Sequence, residues 1–347
     1  MLVKKSKTTR KISIKIIFLQ GVRIFLTPFL NEFFRMINRR HIRVKVMQSV
    51  YAMITANADD LVKEEKFLKH SIQKLLDLYV LQLQMLVEVQ KLATQKLEIS
   101  KKKHLATKED LNPNTKFINN KVITTIAYSE SISNHIENQK LNNWQIDDEY
   151  VKIIWEKLQQ SNLYKNYMNS DVASFKADKN FAQDFFTEII APEDKLAEYY
   201  EDQTISWLDD IPFVNTWVLR TLGKVKESKS IVLKSIYKDE DDEKFVLDLF
   251  RKVMLNHTSF DDDISSKTPN WETDRIADID LILIKMAITE FLKFPSIPVR
   301  VTINEYIEIS KDYSTNKSGY FINGVLDKLS KEYSENKRLH KIGRGLL

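Results

Sequence analysis

Four basic side chains lie within seven consecutive residues near position 40. They are Arg39, Arg40, Arg43 and Lys45. Asn38 precedes them and is a residue type that caps helix N-termini, so the basic residues would lie in the first turns of a helix. Because the backbone dipole already makes that end positive, each cation there is disfavoured by about 0.3–1 kcal/mol. A bound phosphate would offset that cost. The pattern therefore predicts a phosphate-binding site, and the alternative is a solvated basic start to a helix.

Three further side chains have the chemistry to bind RNA bases. Tyr51 follows in the same helical pattern, and Phe321 and Asn323 lie near the end of the chain. Aromatic rings stack on the bases of single-stranded RNA, and an amide can hydrogen-bond the edge of a base. The alternatives are that both rings pack in the core and that Asn323 caps a backbone group.

Enzyme chemistry is not indicated. The sequence has no cysteine, which excludes thiol catalysis, disulfides and thiolate zinc sites. The six histidines lack metalloprotease spacing, and neither a phosphate-binding glycine loop nor a nucleophile elbow occurs. The acidic runs Asp239 to Glu243 and Asp261 to Asp263 each precede a helical pattern, as Glu272 and Asp274 do, so we interpret them as caps. We expect a cytoplasmic protein that is not an enzyme and needs no cofactor or metal.

Positive charge is concentrated at the start of the chain. The formal net charge is +5, yet residues 1–35 carry eight basic residues and one acid. Residues 36–45 add the four cations named above, so the remainder of the chain is mildly acidic. RNA binding would therefore depend on a local patch and not on global attraction.

Residues 1–35 combine basic residues with two apolar runs. Lys15, Gln20 and Arg23 interrupt these runs, so neither reaches the roughly 20 residues of a membrane-spanning helix. We hypothesise that translation begins at Met36 and that residues 1–35 are upstream sequence or a disordered leader. Peptides from this segment in the native protein would contradict the hypothesis.

Apolar periodicity predicts long helices along most of the chain. The first runs from Arg39 to Thr55, and the second starts after Asp60 and continues to about Lys103. Breaks are expected near Asn142, Ser170, Pro192 and Pro212, and the aromatic residues between them are expected in a core. A nearly all-apolar helix capped by Asp274 should be central and buried.

The last helix contains an unusual glycine. Phe321, Val325 and Leu329 are spaced as on one helical face, so Asn323-Gly324 is not interpreted as a hairpin turn. An interior glycine costs about 0.5–1 kcal/mol relative to alanine. Gly324 therefore predicts close approach by another backbone or by a ligand.

Two blocks of the sequence resemble the NusB family of RNA-binding transcription antitermination factors. One is residues 36–57, with its arginine-rich opening. The other is residues 239–331, which contains the phrases INE and FINGVLDK. The resemblance implies an all-α bundle of two subdomains, residues 36–238 and 239–332, followed by a basic tail, residues 333–347. Residues 58–238 have no counterpart and form an insertion that enlarges the first subdomain.

The resemblance also implies a function and partners. The protein would bind boxA-like single-stranded RNA of ribosomal RNA transcripts together with NusE, a small-subunit ribosomal protein, in an antitermination complex with RNA polymerase, and no membrane would be involved. In the loop before the last helix, Ser314 replaces the family's usual glycine. Lys317, where an acid is common, and Ser318 join the RNA-binding candidates. The alternatives are an RNA-targeting module related to the N-terminal domains of RNA-cytosine methyltransferases, or a protein-binding scaffold without RNA binding.

Overall fold

The computed structural model describes residues 37–227, 229–268 and 276–346. Every regular element in these ranges is helical, which confirms the predicted all-α class. None of the described helices is long and apolar enough to cross a membrane. The proposed leader, the start at Met36, and the caps Glu272 and Asp274 lie outside the described residues.

The described chain divides into two compact units. Residues 73–235 form unit 1, and residues 37–72 together with 236–346 form unit 2. The predicted boundary between residues 238 and 239 is close to the observed boundary between residues 235 and 236. The prediction, however, placed the first helix in the same subdomain as the insertion. That helix instead belongs to unit 2, because its apolar face packs on helices that follow residue 236.

The first two helices agree closely with the sequence prediction. Helix α1 spans Arg39–Thr55, and the Asn38 side chain accepts a hydrogen bond of 2.8 Å from the backbone N–H of His41. Helix α2 spans Leu61–Lys101 and contributes its first part to unit 2 and the rest to unit 1. Its buried positions include Leu68, Ile72 and Leu75, as periodicity predicted.

Unit 1 continues from α2 through a series of shorter helices, with a π-helical turn, Phe186–Ile190, after α9. They are α3 (Lys108–Leu111), α4 (Lys121–Ala127), α5 (Glu130–Gln139), α6 (Asn143–Ile146), α7 (Asp148–Gln160), α8 (Asn162–Asn169), α9 (Phe175–Phe185), α10 (Asp194–Gln203) and α11 (Trp207–Lys224).

Aromatic side chains form the core of unit 1. Phe117 stacks on Trp155 at 5.7 Å between ring centroids and meets the edge of Phe181 at 5.7 Å. The aromatic residues of the insertion are therefore mostly core residues, as predicted, although Phe175 is only half-buried.

Two buried polar contacts join α2 to α11 within unit 1. The hydroxyls of Tyr79 and Thr221 lie 2.8 Å apart, and the Gln82 amide donates a 2.8 Å bond to Asn215 Oδ1. Burial raises the pKa of Tyr79 to about 12 even though Thr221 opposes the shift. Tyr79 is therefore an uncharged hydrogen-bonding group at neutral pH.

The break predicted at Pro212 is wrong. Pro212 lies inside α11, near its N-terminal end. A proline in a helix removes one backbone donor, here the donor for the carbonyl of Leu208. Burial of Trp207, Val214 and Trp217 on the same helix supplies the stabilisation that keeps the helix continuous across the proline.

Unit 2 consists of α1, the start of α2 and the C-terminal helices, with short 3₁₀ turns at His257–Phe260 and Gly343–Leu346. These helices are α12 (Glu240–Asn256), α13 (Asp261–Ser265), α14 (Asp278–Lys293), α15 (Val299–Tyr313) and α16 (Ser318–Glu335).

Helix α14 is the centre of unit 2. It packs against α1, α12, α15 and α16, and every residue from Ile282 to Phe291 is buried. The predicted buried central helix is therefore confirmed. Asp239 caps α12 by accepting from the N–H of Asp242, which confirms the interpretation of that acidic run.

The C-terminal segment folds back on the end of α14. Lys341 Nζ donates to the carbonyls of Glu290 and Phe294 at 3.1 and 3.0 Å, and Ile342 N–H donates to the carbonyl of Pro295. Burial lowers the pKa of Lys341 to about 8. Helix α16 also extends to Glu335, so the first residues of the predicted tail are helical.

Candidate nucleic-acid interface

The first two arginines of α1 are half-exposed and bound to carboxylates. Arg39 Nε donates to Asp242 Oδ1 at 2.9 Å, and the guanidinium lies 4.8 Å from the centroid of the Phe245 ring. Arg40 binds both oxygens of Glu305, at 2.9 and 3.0 Å. Their side chains are 41% and 40% exposed. A phosphate could still reach both guanidinium groups from solvent.

Arg43 is buried in an ion-pair network. Its side chain is 3% exposed, and its guanidinium donates to both oxygens of Glu290, at 2.7 and 2.9 Å. The Glu290 carboxylate is fully buried and also accepts from Tyr306 Oη at 2.8 Å and from Thr302 Oγ1 at 3.1 Å. Glu305 adds a longer contact of 3.6 Å to Arg43. This network joins α1, α14 and α15.

The network holds Arg43 in its charged form. Burial alone lowers the pKa of Arg43, but the charge and hydrogen bonds of Glu290 outweigh it and raise that pKa. The pKa of Tyr306 is raised well above its ordinary value, first by burial and then by Glu290. The arginine therefore stays cationic and the phenol stays neutral across the physiological range.

These contacts correct the predicted phosphate site. Arg43 and Lys45 were predicted to lie at an exposed helix start, but both side chains are buried, Lys45 at 1% exposure. The unfavourable placement of cations at the start of α1 is offset by carboxylates from three other helices, where a bound phosphate was predicted. Arg39 and Arg40 are the cations of this cluster that a nucleic acid can reach.

Tyr51 lies on the same side of α1 as Arg40. Eleven residues separate them, which is close to three helical turns, or about 16 Å. The Tyr51 side chain is 36% exposed, so part of its ring faces solvent. A single nucleic-acid strand that runs along α1 would meet the Arg40 guanidinium first and then the Tyr51 ring.

The loop before α16 is held together by serine hydroxyls. Ser318 is 2% exposed, and its hydroxyl lies 2.9 Å from Ser314 Oγ and accepts from the N–H of Thr315 at 3.2 Å. Its predicted contact with RNA is therefore replaced by a structural role in the loop. Lys317 is exposed beside it.

Arg40 lies on the side of unit 2 where this loop starts. It is close enough to Asp312 to oppose the rise in that carboxyl's pKa, which partial desolvation and then Glu308 cause. The N-terminal end of α1, which carries Arg40, and the C-terminal end of α15, which carries Asp312, thus belong to one surface of unit 2.

The predicted base-reading residues on α16 differ in exposure. Asn323 is exposed, and Phe321 is half-buried. A Cβ added at Gly324 would meet nothing within 4 Å. The predicted close approach to Gly324 is therefore not made by the protein itself, and the helix presents an open surface at this position.

Sequence reasoning missed three residues that lie on this surface or directly beneath it. Glu290 and Glu305 are the partners of the arginines, and Tyr320 is 86% exposed beside Phe321. A lone acid within the apolar run of α14 was a usable signal, because a buried charge needs a partner. Among the described residues, no group of acidic and histidine side chains is arranged to hold a metal ion.

Part of the chain matches a protein-family model. The NusB family model matches residues 216–331. These residues include the end of α11 and helices α12 to α16. Residues 216–331 are a NusB-family domain. The match excludes α1, so the resemblance of residues 36–57 rests on their sequence and on the packing of α1 against the NusB-family helices.

Curated relatives of the chain are named as NusB proteins. The chain is 45% identical over 103 residues to the "Transcription antitermination protein NusB" of Salinibacter ruber, covering 30% of this chain and 64% of the relative. It is 39% identical over 122 residues to that of Chloroherpeton thalassium, covering 35% and 58%. The match to the Desulforapulum autotrophicum protein is 44% over 91 residues, covering 26% and 64%.

The similarity covers only part of this chain and only part of each relative. The chain spans about three-fifths of the length of these NusB relatives, and most of unit 1 lies outside the family match. No solved structure matches the chain.

Proposed function

We propose that this protein is an RNA-binding transcription antitermination factor, not an enzyme. It acts in the cytoplasm with NusE on boxA-like single-stranded RNA of ribosomal RNA transcripts, within an antitermination complex that contains RNA polymerase. The observation that supports this most is the NusB-family domain, whose relatives are named as antitermination proteins. Those names favour this function over a methyltransferase-type targeting module or a scaffold that does not bind RNA.

The surface of unit 2 suggests which residues contact RNA. Arg39, Arg40 and Lys317 supply positive charge that phosphates can reach. Tyr51 and Phe321 supply partly exposed rings for stacking on bases, and Asn323 supplies an exposed amide for a base edge. Arg43, Lys45 and Ser318 are proposed to act indirectly, because their buried side chains hold α1 and the loop before α16 in place.

The test is a binding series with boxA RNA and a scrambled RNA of equal length, with and without NusE, at several salt concentrations. We expect a preference for boxA that NusE strengthens. Each phosphate contact on a single strand contributes about 0.7 to the slope of log K against log salt. The variant Arg39→Ala/Lys317→Ala should therefore lower the slope by about 1.4.

The matched control is Lys331→Ala, which removes an exposed lysine of α16 paired only with Asp327 at the surface. It should leave both the affinity and the slope unchanged. The absence of any boxA preference in the presence of NusE would disprove the proposal.

A further inference from the structure

Unit 1 contains an open groove, and most of its walls lie outside the NusB-family match. Its volume is about 700 Å³, and its walls come from α2, α4, the start of α9 and the segment after α11. Residues on these walls include Gln90, Lys91, Lys121, Tyr128 and Phe175. The groove lies wholly within unit 1.

The floor of the groove is fixed by one buried amide. Gln90 is 7% exposed, and its Nε2 lies 3.2 Å from the carbonyls of Phe117 and Ile118 and 3.4 Å from that of Asn120. Asn120 in turn caps α4 by accepting from the N–H groups of Val122 and Ile123. A ligand would therefore meet a preformed surface.

Lysines surround the groove. Lys121 is paired with Glu227 and Lys91 with Glu88, and the Lys121 and Lys91 side chains are 60% and 58% exposed. Lys226 and Lys229 are exposed on the non-helical segment that borders the groove. That segment is held in place because the Ser129 hydroxyl donates to the carbonyl of Ile231 at 2.7 Å. Cations outnumber acids around the groove, although unit 1 as a whole has slightly more acidic than basic residues.

Two aromatic rings lie among these lysines. Tyr128 is 84% exposed at the end of α4. Phe175 is half-buried at the start of α9, with the Lys179 ammonium 5.4 Å from its ring centroid. A ring that stays exposed in a groove bordered by cations matches sites that bind single-stranded nucleic acid, where bases stack on aromatic faces and lysines follow the phosphates.

We propose that this groove binds single-stranded RNA without sequence preference. Tyr128 and Phe175 stack on bases, and Lys91, Lys121 and Lys226 contact phosphates. The inference rests on the proposed function, because the groove on unit 1 gives a second contact to the RNA transcript that unit 2 is proposed to bind. An acidic protein segment is the competing ligand, but it would leave the exposed Tyr128 ring without a stacking partner.

The experiment uses the full chain and a fluorescein-labelled oligo(U) of about 12 nucleotides, within the site size of single-strand binding folds. The groove variant is Tyr128→Ala/Lys121→Ala/Lys226→Ala. The matched control is Leu105→Ala/Lys152→Ala/Lys195→Ala, which removes equal charge and one 85%-exposed side chain elsewhere on unit 1.

The groove variant should bind oligo(U) about tenfold more weakly, as expected for the loss of one stacked base and two phosphate contacts. Its salt slope should fall by about 1.4, while the control stays at the wild-type value. Equal oligo(U) binding by the wild type and the groove variant would overturn the proposal. Tighter groove-dependent binding of a labelled oligoglutamate than of oligo(U) would overturn it in favour of an acidic protein.

The same proteins separate this inference from the proposed function. The groove variant should keep the ratio of boxA to scrambled affinity. Asn323→Ala should lower that ratio and leave oligo(U) binding intact. Loss of boxA preference with retained groove-dependent oligo(U) binding would reject the proposed function and keep the groove.

Discussion

At the residue scale, Glu290 is the buried acceptor that links α14 to α1 and α15 within unit 2. It is a fully buried carboxylate whose oxygens bind Arg43, Thr302 and Tyr306. Removing one partner of a buried ion pair leaves an uncompensated charge, which commonly costs about 3–5 kcal/mol. The residues around Glu290 therefore determine whether α1 stays in place.

We predict that Arg43→Met lowers the free energy of unfolding by about 3–5 kcal/mol, measured by urea denaturation with circular dichroism. Adding Glu290→Gln should recover part of this loss, because the neutral amide can still accept from Tyr306 and Thr302. Lys331→Met, at an exposed pair, should cost less than about 1 kcal/mol. Equal costs for Arg43→Met and Lys331→Met would contradict the prediction.

A second buried carboxylate gives unit 1 a pH dependence. Asp77 accepts from Lys74 Nζ at 2.7 Å and lies 2.8 Å from His135 Nε2. Burial alone raises the pKa of Asp77, but the hydrogen bonds to His135 and Lys74 outweigh it and hold the pKa below its ordinary value. A depressed carboxyl pKa adds stability above the unfolded-state value of about 3.9, and this stability is lost as pH falls through the lower folded-state value.

Asp77→Asn should therefore cost about 1.5–3 kcal/mol at neutral pH, the range for hydrogen bonds to charged groups. The difference from wild type should shrink below about pH 4. Chemical denaturation at pH 7 and pH 3 measures both values. Asp148→Asn, at an exposed pair with Lys152, is the control and should show little effect at either pH.

At the element scale, two glycines in the C-terminal part have opposite surroundings. Gly324 lies inside α16 with open space around it, whereas a Cβ at Gly345 would collide with the carbonyl of Pro295. Gly324 is thus free to be replaced, and Gly345 permits the C-terminal segment to lie against the end of α14.

Gly324→Ala should raise the free energy of unfolding by about 0.5–1 kcal/mol, because alanine is the better helix former. Gly345→Ala should lower it, because the C-terminal segment must move away from Pro295. Thermal denaturation of both variants tests the pair. A stabilised Gly324→Ala protein with weakened binding to RNA or NusE would indicate that a partner approaches this position.

At the scale of the whole molecule, the sequence predicted helices better than their assembly. Asn38 and the apolar spacing of α1 and α2 located both elements, because caps and periodicity are local signals. The assignment of α1 to the wrong unit has a different cause. The contacts of α1 with α12 and α14 join residues such as Arg39 and Asp242, 203 positions apart, and Arg43 and Glu290, 247 positions apart, and periodicity carries no information on such pairs.

The same limit applies to the candidate site. Residue types identified the charged and aromatic candidates, but burial of Arg43, Lys45 and Ser318 depends on partners that are distant in sequence. The groove of unit 1 was not predicted, because its walls come from four separated segments. Its aromatic residues had been interpreted as core residues.

The polar contacts between α2 and α11 have a consequence for how unit 1 assembles. Apolar helix faces can slide past each other by one turn and still bury similar area. Sliding here would separate Tyr79 from Thr221 and Gln82 from Asn215. Each buried polar group left without a partner costs about 1–3 kcal/mol. These two pairs therefore select one alignment of the helices and disfavour shifted alternatives while the chain folds.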